Sequence, residues 1–218
     1  MTKKAFTIIA CLLFASLPYA ESHAGIIDGF LGWSSGVASV AFDGISNPDP
    51  NNDNVVGPSD NRVRITQKDY TGVGPVDVMF SVRDSDGVTE YVLEEGVFNN
   101  TGMDWDCYTL QLGFGEGSDF VLSDPGDGLD FDAPDFDSPQ SIPPFTTVTV
   151  TEDEINATGG LLVDFMFSAP LLISIDVPDG IDSFTIRQLP KVNSIPEPAS
   201  ALLLSLSGFG WAVMRRRS

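Results

Sequence analysis

Residues 107–114 alternate strictly: Tyr108, Leu110, Leu112 and Phe114 fall on one side of an extended chain, and Cys107, Thr109, Gln111 and Gly113 on the other. A repeat of two fits a strand and not the apolar stripe of a helix, whose period is 3.6. The pattern recurs along the chain. Val76, Val78, Phe80 and Val82 alternate with Asp77, Met79, Ser81 and Arg83, and Asp84-Ser85-Asp86-Gly87 then supplies a turn. The next run sets Tyr91, Leu93 and Val97 against Glu90 and Glu94, and it breaks at Asn99-Asn100-Thr101-Gly102. Further strands are predicted over 37–42, 63–66, 146–151, 161–167, 171–176 and 183–189. No stretch between the two ends carries a helical period of useful length. About nine short strands on one chain predict an all-β fold, an antiparallel two-layer sandwich with immunoglobulin-like topology by default.

The ends have a different character. A cationic start (Lys3, Lys4), an apolar run over 5–17 and a small-x-small site at Ser22-His23-Ala24 read as a secretory signal peptide over 1–24. At the other end, Ile195-Pro196-Glu197-Pro198 is followed by an uncharged, mostly apolar run over 199–214 and then by Arg215, Arg216 and Arg217. The prolines separate the body from the apolar run. That run predicts a C-terminal hydrophobic helix, somewhat shorter than a bilayer core, that inserts with its arginines on the cytoplasmic side. One body domain is left, over 25–194, enough chain to bury a core without a disulfide framework.

Charge then narrows the partners. Of 11 Lys and Arg residues, five lie in the terminal segments, and the body keeps six against 29 Asp and Glu. A field of that sign repels phosphate backbones and anionic headgroups, so nucleic acid and acidic bilayers are disfavoured and cations or neutral glycans are the expected partners. Acid-rich chains are often disordered, but 15 Phe, 3 Trp and 42% hydrophobic residues supply a core here. Local disorder is expected instead over 47–61 and 124–144.

The tail over 195–218 closely resembles the PEP-CTERM sorting domain of Gram-negative bacteria that make exopolysaccharide. That resemblance implies recognition of Pro196, Glu197 and Pro198 by an exosortase, with the apolar run as the stop-transfer element and Arg215, Arg216 and Arg217 retaining it. It implies export across the inner membrane, a transient anchor there, and then delivery to the cell surface or extracellular matrix. More weakly, Val88-Thr89-Glu90-Tyr91, Leu112-Gly113-Phe114-Gly115, Asp127-Gly128-Leu129-Asp130-Phe131-Asp132 and Ile175-Asp176-Val177-Pro178-Asp179 resemble the secreted choice-of-anchor family. That second likeness implies a β-rich extracellular body and brings no catalytic residues.

Chemistry-bearing residues are sparse in the body. The one histidine, His23, leaves with the signal peptide, which removes histidine-based triads and the commonest zinc sites. With Cys11 also removed in the leader, Cys107 is expected to carry a free thiol turned away from the apolar face and packed against a neighbouring loop, with an intermolecular bridge as the alternative. Asp49, Asn51, Asp53 and Asn54 lie in one acidic loop and Asp124, Asp127, Asp130, Asp132, Asp135 and Asp137 in another. Hard oxygen ligands at alternating positions suit calcium, which makes the second loop the candidate calcium site; the alternative, and the reading the residues favour, is solvated acidic loops that keep the protein soluble and blunt sheet edges. The first departs from the EF-hand template, with Asn54 where Gly is required and Asp60 in place of the closing Glu.

The expectation is an exported protein of the cell surface or exopolysaccharide matrix, structural or adhesive and without catalytic activity. The alternatives are a carbohydrate-binding module and a carboxylate-based glycosidase, for which no acidic pair stands out among 29.

Overall fold

The computed structural model describes residues 24–48, 59–85, 89–124, 126–131, 142–168 and 170–192. Twelve strands form among them: β1 (Ala24–Ser34), β2 (Ala38–Ser46), β3 (Arg62–Tyr70), β4 (Val76–Ser85), β5 (Thr89–Asn99), β6 (Cys107–Phe114), β7 (Val121–Leu122), β8 (Thr147–Val150), β9 (Glu154–Thr158), β10 (Met166–Phe167), β11 (Leu171–Val177) and β12 (Ser183–Lys191). They make two sheets. The first runs β1-β4-β12-β6-β9-β8, with β7 on β6; the second runs β10-β5-β3-β2, with β11 on β5.

The alternation read from the sequence is what joins these layers. Val76, Val78 and Phe80 of β4, Leu110 and Leu112 of β6, and Phe184 and Ile186 of β12 point inward from the first sheet. Val63, Ile65, Tyr91, Leu93 and Ile173 meet them from the second, in one continuous core. Burying these side chains is the main stabilising term, at about 1.5 to 3 kcal/mol for each large aliphatic or aromatic one. The all-β sandwich expected from the periodicity is therefore present.

Two expectations need correction. The sandwich is not wholly antiparallel, because β3 pairs β5 in parallel, Val63 opposite Leu93. The chain leaves the second sheet after β3, forms β4 in the first, and comes back as β5 running the same way, a crossover that a hairpin could not provide. The strand expected over 161–167 contracts to Met166–Phe167, and a strand not expected from the sequence, β9, pairs with β8, Thr147 opposite Thr158. Apolar content misled there: Leu161, Phe165, Met166 and Phe167 are exposed, whereas Ile155 and Ala157 of β9 are fully buried.

β1 is an addition to the expected strands, and it pairs Ala24 with Ser85 and Ser34 with Asp77 along the edge of β4. The hydrophobic helix expected over 199–214 lies outside the described residues. Among those described, no helix is long and apolar enough to cross a membrane.

Candidate functional site

One polar cluster sits inside the sandwich, and a bulge puts it there. Along β3, Val63 and Ile65 face inward, but three residues of β3 from Ile65 to Lys68 span the step that two residues of β5 cover between Glu95 and Val97. The extra residue reverses the parity, so that Lys68 and Tyr70 also point to the core, both 0% exposed. Bulges re-aim side chains in this way. On the adjacent β5, Glu95 has the same inward parity as Leu93 and Val97.

Lys68 Nζ donates to Glu95 Oε2 at 2.8 Å, with both side chains wholly buried. The opposite sheet supplies a second donor to that oxygen, Gln188 Nε2 of β12 at 2.9 Å. Tyr108 of β6 donates its hydroxyl to Gln188 Oε1. This fixes the orientation of the amide, since a carboxylate can only accept from its NH2 end. Tyr70 and Tyr108 bring their hydroxyls to 3.4 Å, and the Tyr108 ring stacks on Trp105 with centroids 6.0 Å apart. Glu95 Oε1 is buried with no hydrogen-bond partner among the described residues.

Burial sets the electrostatics of this cluster. Desolvation lowers the Lys68 amine from its ordinary value, against the opposing attraction of Glu95. It raises the Tyr108 and Tyr70 hydroxyls well above theirs, so both stay protonated donors. The cluster thus brings together an amine biased toward its neutral form, a carboxylate, and a carboxamide whose oxygen is held by a hydroxyl donor.

A second arrangement lies on the outer face of the second sheet. Arg62 and Arg64 both approach Glu94 Oε2, at 3.8 and 3.1 Å. Beside them is an open depression of about 310 Å³ lined by Asp43, Arg64, Glu94, Gly96, Phe167 and Pro170. Gly96 leaves room for the Phe167 ring, whose Cζ would lie 2.2 Å from a β-carbon at that position.

The acidic loop is described only at its start. Asp127 turns its carboxylate onto its own loop, accepting from Ser123 Oγ at 2.9 Å, Leu129 N at 2.9 Å and Asp124 N at 3.1 Å. Asp130 joins β11 through the backbone, its carbonyl accepting from Asp176 N at 2.9 Å. Among the described residues no group of three or more His, Cys, Asp or Glu is placed to hold a metal ion. Asp132, Asp135 and Asp137 of the candidate calcium loop lie outside the described residues, as do Asp49, Asn51, Asp53 and Asn54 of the first loop. So do the sorting residues Pro196, Glu197 and Pro198 and the cluster Arg215, Arg216 and Arg217. Cys107 is free and half-buried, with its thiol 3.1 Å from Asn156 Oδ1 on β9.

Sequence reasoning missed the interior cluster, though two signals for it existed. Glu95 interrupts the apolar side of β5 between Leu93 and Val97, and Gln188 follows Phe184 and Ile186 at even spacing on β12. Lys68 had no such signal, because its inward aim depends on the bulge. No protein-family model, curated protein or solved structure matches the chain.

Proposed function

We propose that the chain is an exported protein of the cell surface or exopolysaccharide matrix, structural or adhesive and without catalytic activity, sorted by an exosortase from a transient inner-membrane anchor. The observation that carries this reading is the order Pro196-Glu197-Pro198, uncharged apolar run, Arg215-Arg216-Arg217, set after an acidic body. A body built as a two-layer sandwich supports it, and immunoglobulin-like layering is part of the proposal. The test is processing. Glu197→Ala should leave unprocessed protein in the inner membrane, because the protease loses its recognition residue while the helix still inserts. Surface delivery and mature mass unchanged from wild type would refute the sorting route.

The outer depression favours a second reading, a carbohydrate-binding module. Planar guanidinium and carboxylate groups at Arg62, Arg64, Asp43 and Glu94 match the paired hydroxyls of a sugar, and Phe167 offers an apolar edge beside them. Binding of neutral polysaccharide, weakened at least tenfold by both Arg64→Ala and Phe167→Ala, would select it. Equal retention of all three proteins on the same polysaccharide would remove it.

A further inference from the structure

We propose that Lys68 and Gln188 become joined by an isopeptide bond across the core, the Lys68 amine displacing ammonia from the Gln188 side-chain amide with Glu95 moving the protons.

Position is the first argument. Lys68 and Gln188 belong to opposite sheets, yet their nitrogens meet at one oxygen, Glu95 Oε2, at 2.8 and 2.9 Å. The amine and the amide nitrogen therefore share one carboxylate oxygen as their acceptor. A bulge in β3 exists at the step that turns Lys68 inward. Each of the three side chains is wholly buried. Holding both groups on one oxygen replaces a bimolecular encounter by a rearrangement within the cluster, a large advantage for a reaction between them.

The surroundings supply the remaining requirements. An alkylammonium is no nucleophile, and desolvation here favours the neutral amine. A carboxamide is a poor electrophile until its oxygen can accept charge, and the Tyr108 hydroxyl already donates to Gln188 Oε1. Burial keeps that hydroxyl protonated. The interior also excludes bulk water, which would otherwise compete for the amide carbon.

The step balances without an outside reagent. Lys68 first passes a proton to Glu95, giving a neutral pair. The Nζ lone pair bonds to Cδ of Gln188 while the carbonyl electrons move onto Oε1, where Tyr108 holds them. Glu95 gives its proton to Nε2 and takes one from Nζ. The Cδ–Nε2 bond then breaks and ammonia leaves, so that the products are a secondary amide, ammonia and the same Glu95 carboxyl group. Nothing is oxidised or reduced. The reaction occurs once per chain, and it replaces a buried ion pair, which is costly to desolvate, by a neutral amide.

Mass spectrometry of the full chain, extracted under denaturing conditions and digested with trypsin, tests this directly. A linked Lys68 resists cleavage, so the expected product is a branched peptide of residues 65–83 joined to residues 188–191, lighter by one ammonia than the two together. Recovery of residues 65–68 and 188–191 as separate peptides in full yield would overturn the proposal. So would a loss of one water mapped to Lys68 and Glu95, which would make the carboxylate the electrophile. Glu95→Gln keeps the size and the hydrogen-bonding shape of the site but cannot relay protons, and it should give unlinked peptides from a protein with wild-type circular dichroism. Branched peptide in that variant at the wild-type level would also count against the mechanism. Tyr108→Phe removes the donor at Oε1 and should slow linkage in a pulse-chase by on the order of 10²-fold.

Discussion

Arg187 and Asp77 face each other across β12 and β4. The guanidinium grips the carboxylate at both oxygens, at 2.6 and 2.8 Å. Gly117 N adds a third donor to Asp77 at 2.7 Å, and the Phe120 ring lies 3.9 Å from the guanidinium carbon. Asp77 is 1% exposed. Arg187→Leu therefore leaves a buried carboxylate without its countercharge, and the expected loss is about 3 to 5 kcal/mol, read as a fall in the urea midpoint. The double change Asp77→Leu with Arg187→Leu should cost clearly less, because no charge is then stranded. Equal losses in the single and double variants would show that packing against Phe120, not charge, makes the contribution. Periodicity alone assigns Asp77 to the outward side of β4, and that is where it lies. Its burial was not legible, since it depends on the loop after β6 folding over the sheet, a contact distant in sequence.

At the scale of elements, legibility depends on whether a strand's partners are uniform. β4, β6 and β12 each present one face to the core and read clearly as alternating runs. β3 reads as ending at Thr66 because the bulge breaks its period just where Lys68 turns inward. β1 carries Gly25, Gly29 and Gly32, which mask its alternation. β10 reads as longer than it is because its large apolar residues suggest a buried strand. It is held on the edge of β5 by Phe165 N to Asn99 O at 2.7 Å and Ser168 N to Val97 O at 2.7 Å, with the Phe167 ring tip in the space above Gly96. Phe165 itself adopts φ 59°, a conformation costly for a bulky side chain. Gly96→Ala should then expel the ring and release β10 at a cost of roughly 1 to 3 kcal/mol, typical of overpacking. Amide exchange checks it: protection should fall at Phe165 and Ser168 while β4 and β12 keep theirs. Uniform loss across both sheets would mean that Gly96 supports the whole sandwich and not this edge.

Across the whole molecule, three tyrosine hydroxyls fasten one sheet to the other. Tyr70 of β3 meets Tyr108 of β6 at 3.4 Å. Tyr91 of β5 accepts from Ile27 N of β1 at 3.0 Å and donates to Asn47 after β2. The sandwich could be foreseen from the spacing of apolar residues, but these ties could not, because each joins positions far apart in sequence. Desolvation raises all three hydroxyls, Tyr91 to about 12 and the other two well above the ordinary value of 10.0. The consequence for pH has a definite sign. In the unfolded chain a tyrosine loses its proton near pH 10, whereas in the fold it keeps it, so above that point the native state binds more protons and unfolding is favoured as pH rises. The stabilisation is complete below about pH 10 and is lost as the pH climbs through the folded values. For Tyr91 this places the loss between the unfolded value near 10 and the folded value of about 12. Urea unfolding at steps across that range should give a midpoint that is level at first and then falls. Tyr91→Phe removes one of the three groups and should flatten the early part of the fall, at the expense of a lower midpoint at neutral pH from the lost bonds to Ile27 and Asn47. A variant curve parallel to wild type throughout the range would assign the alkaline loss to the repulsion of a chain already carrying a net charge of −20, and not to the buried hydroxyl.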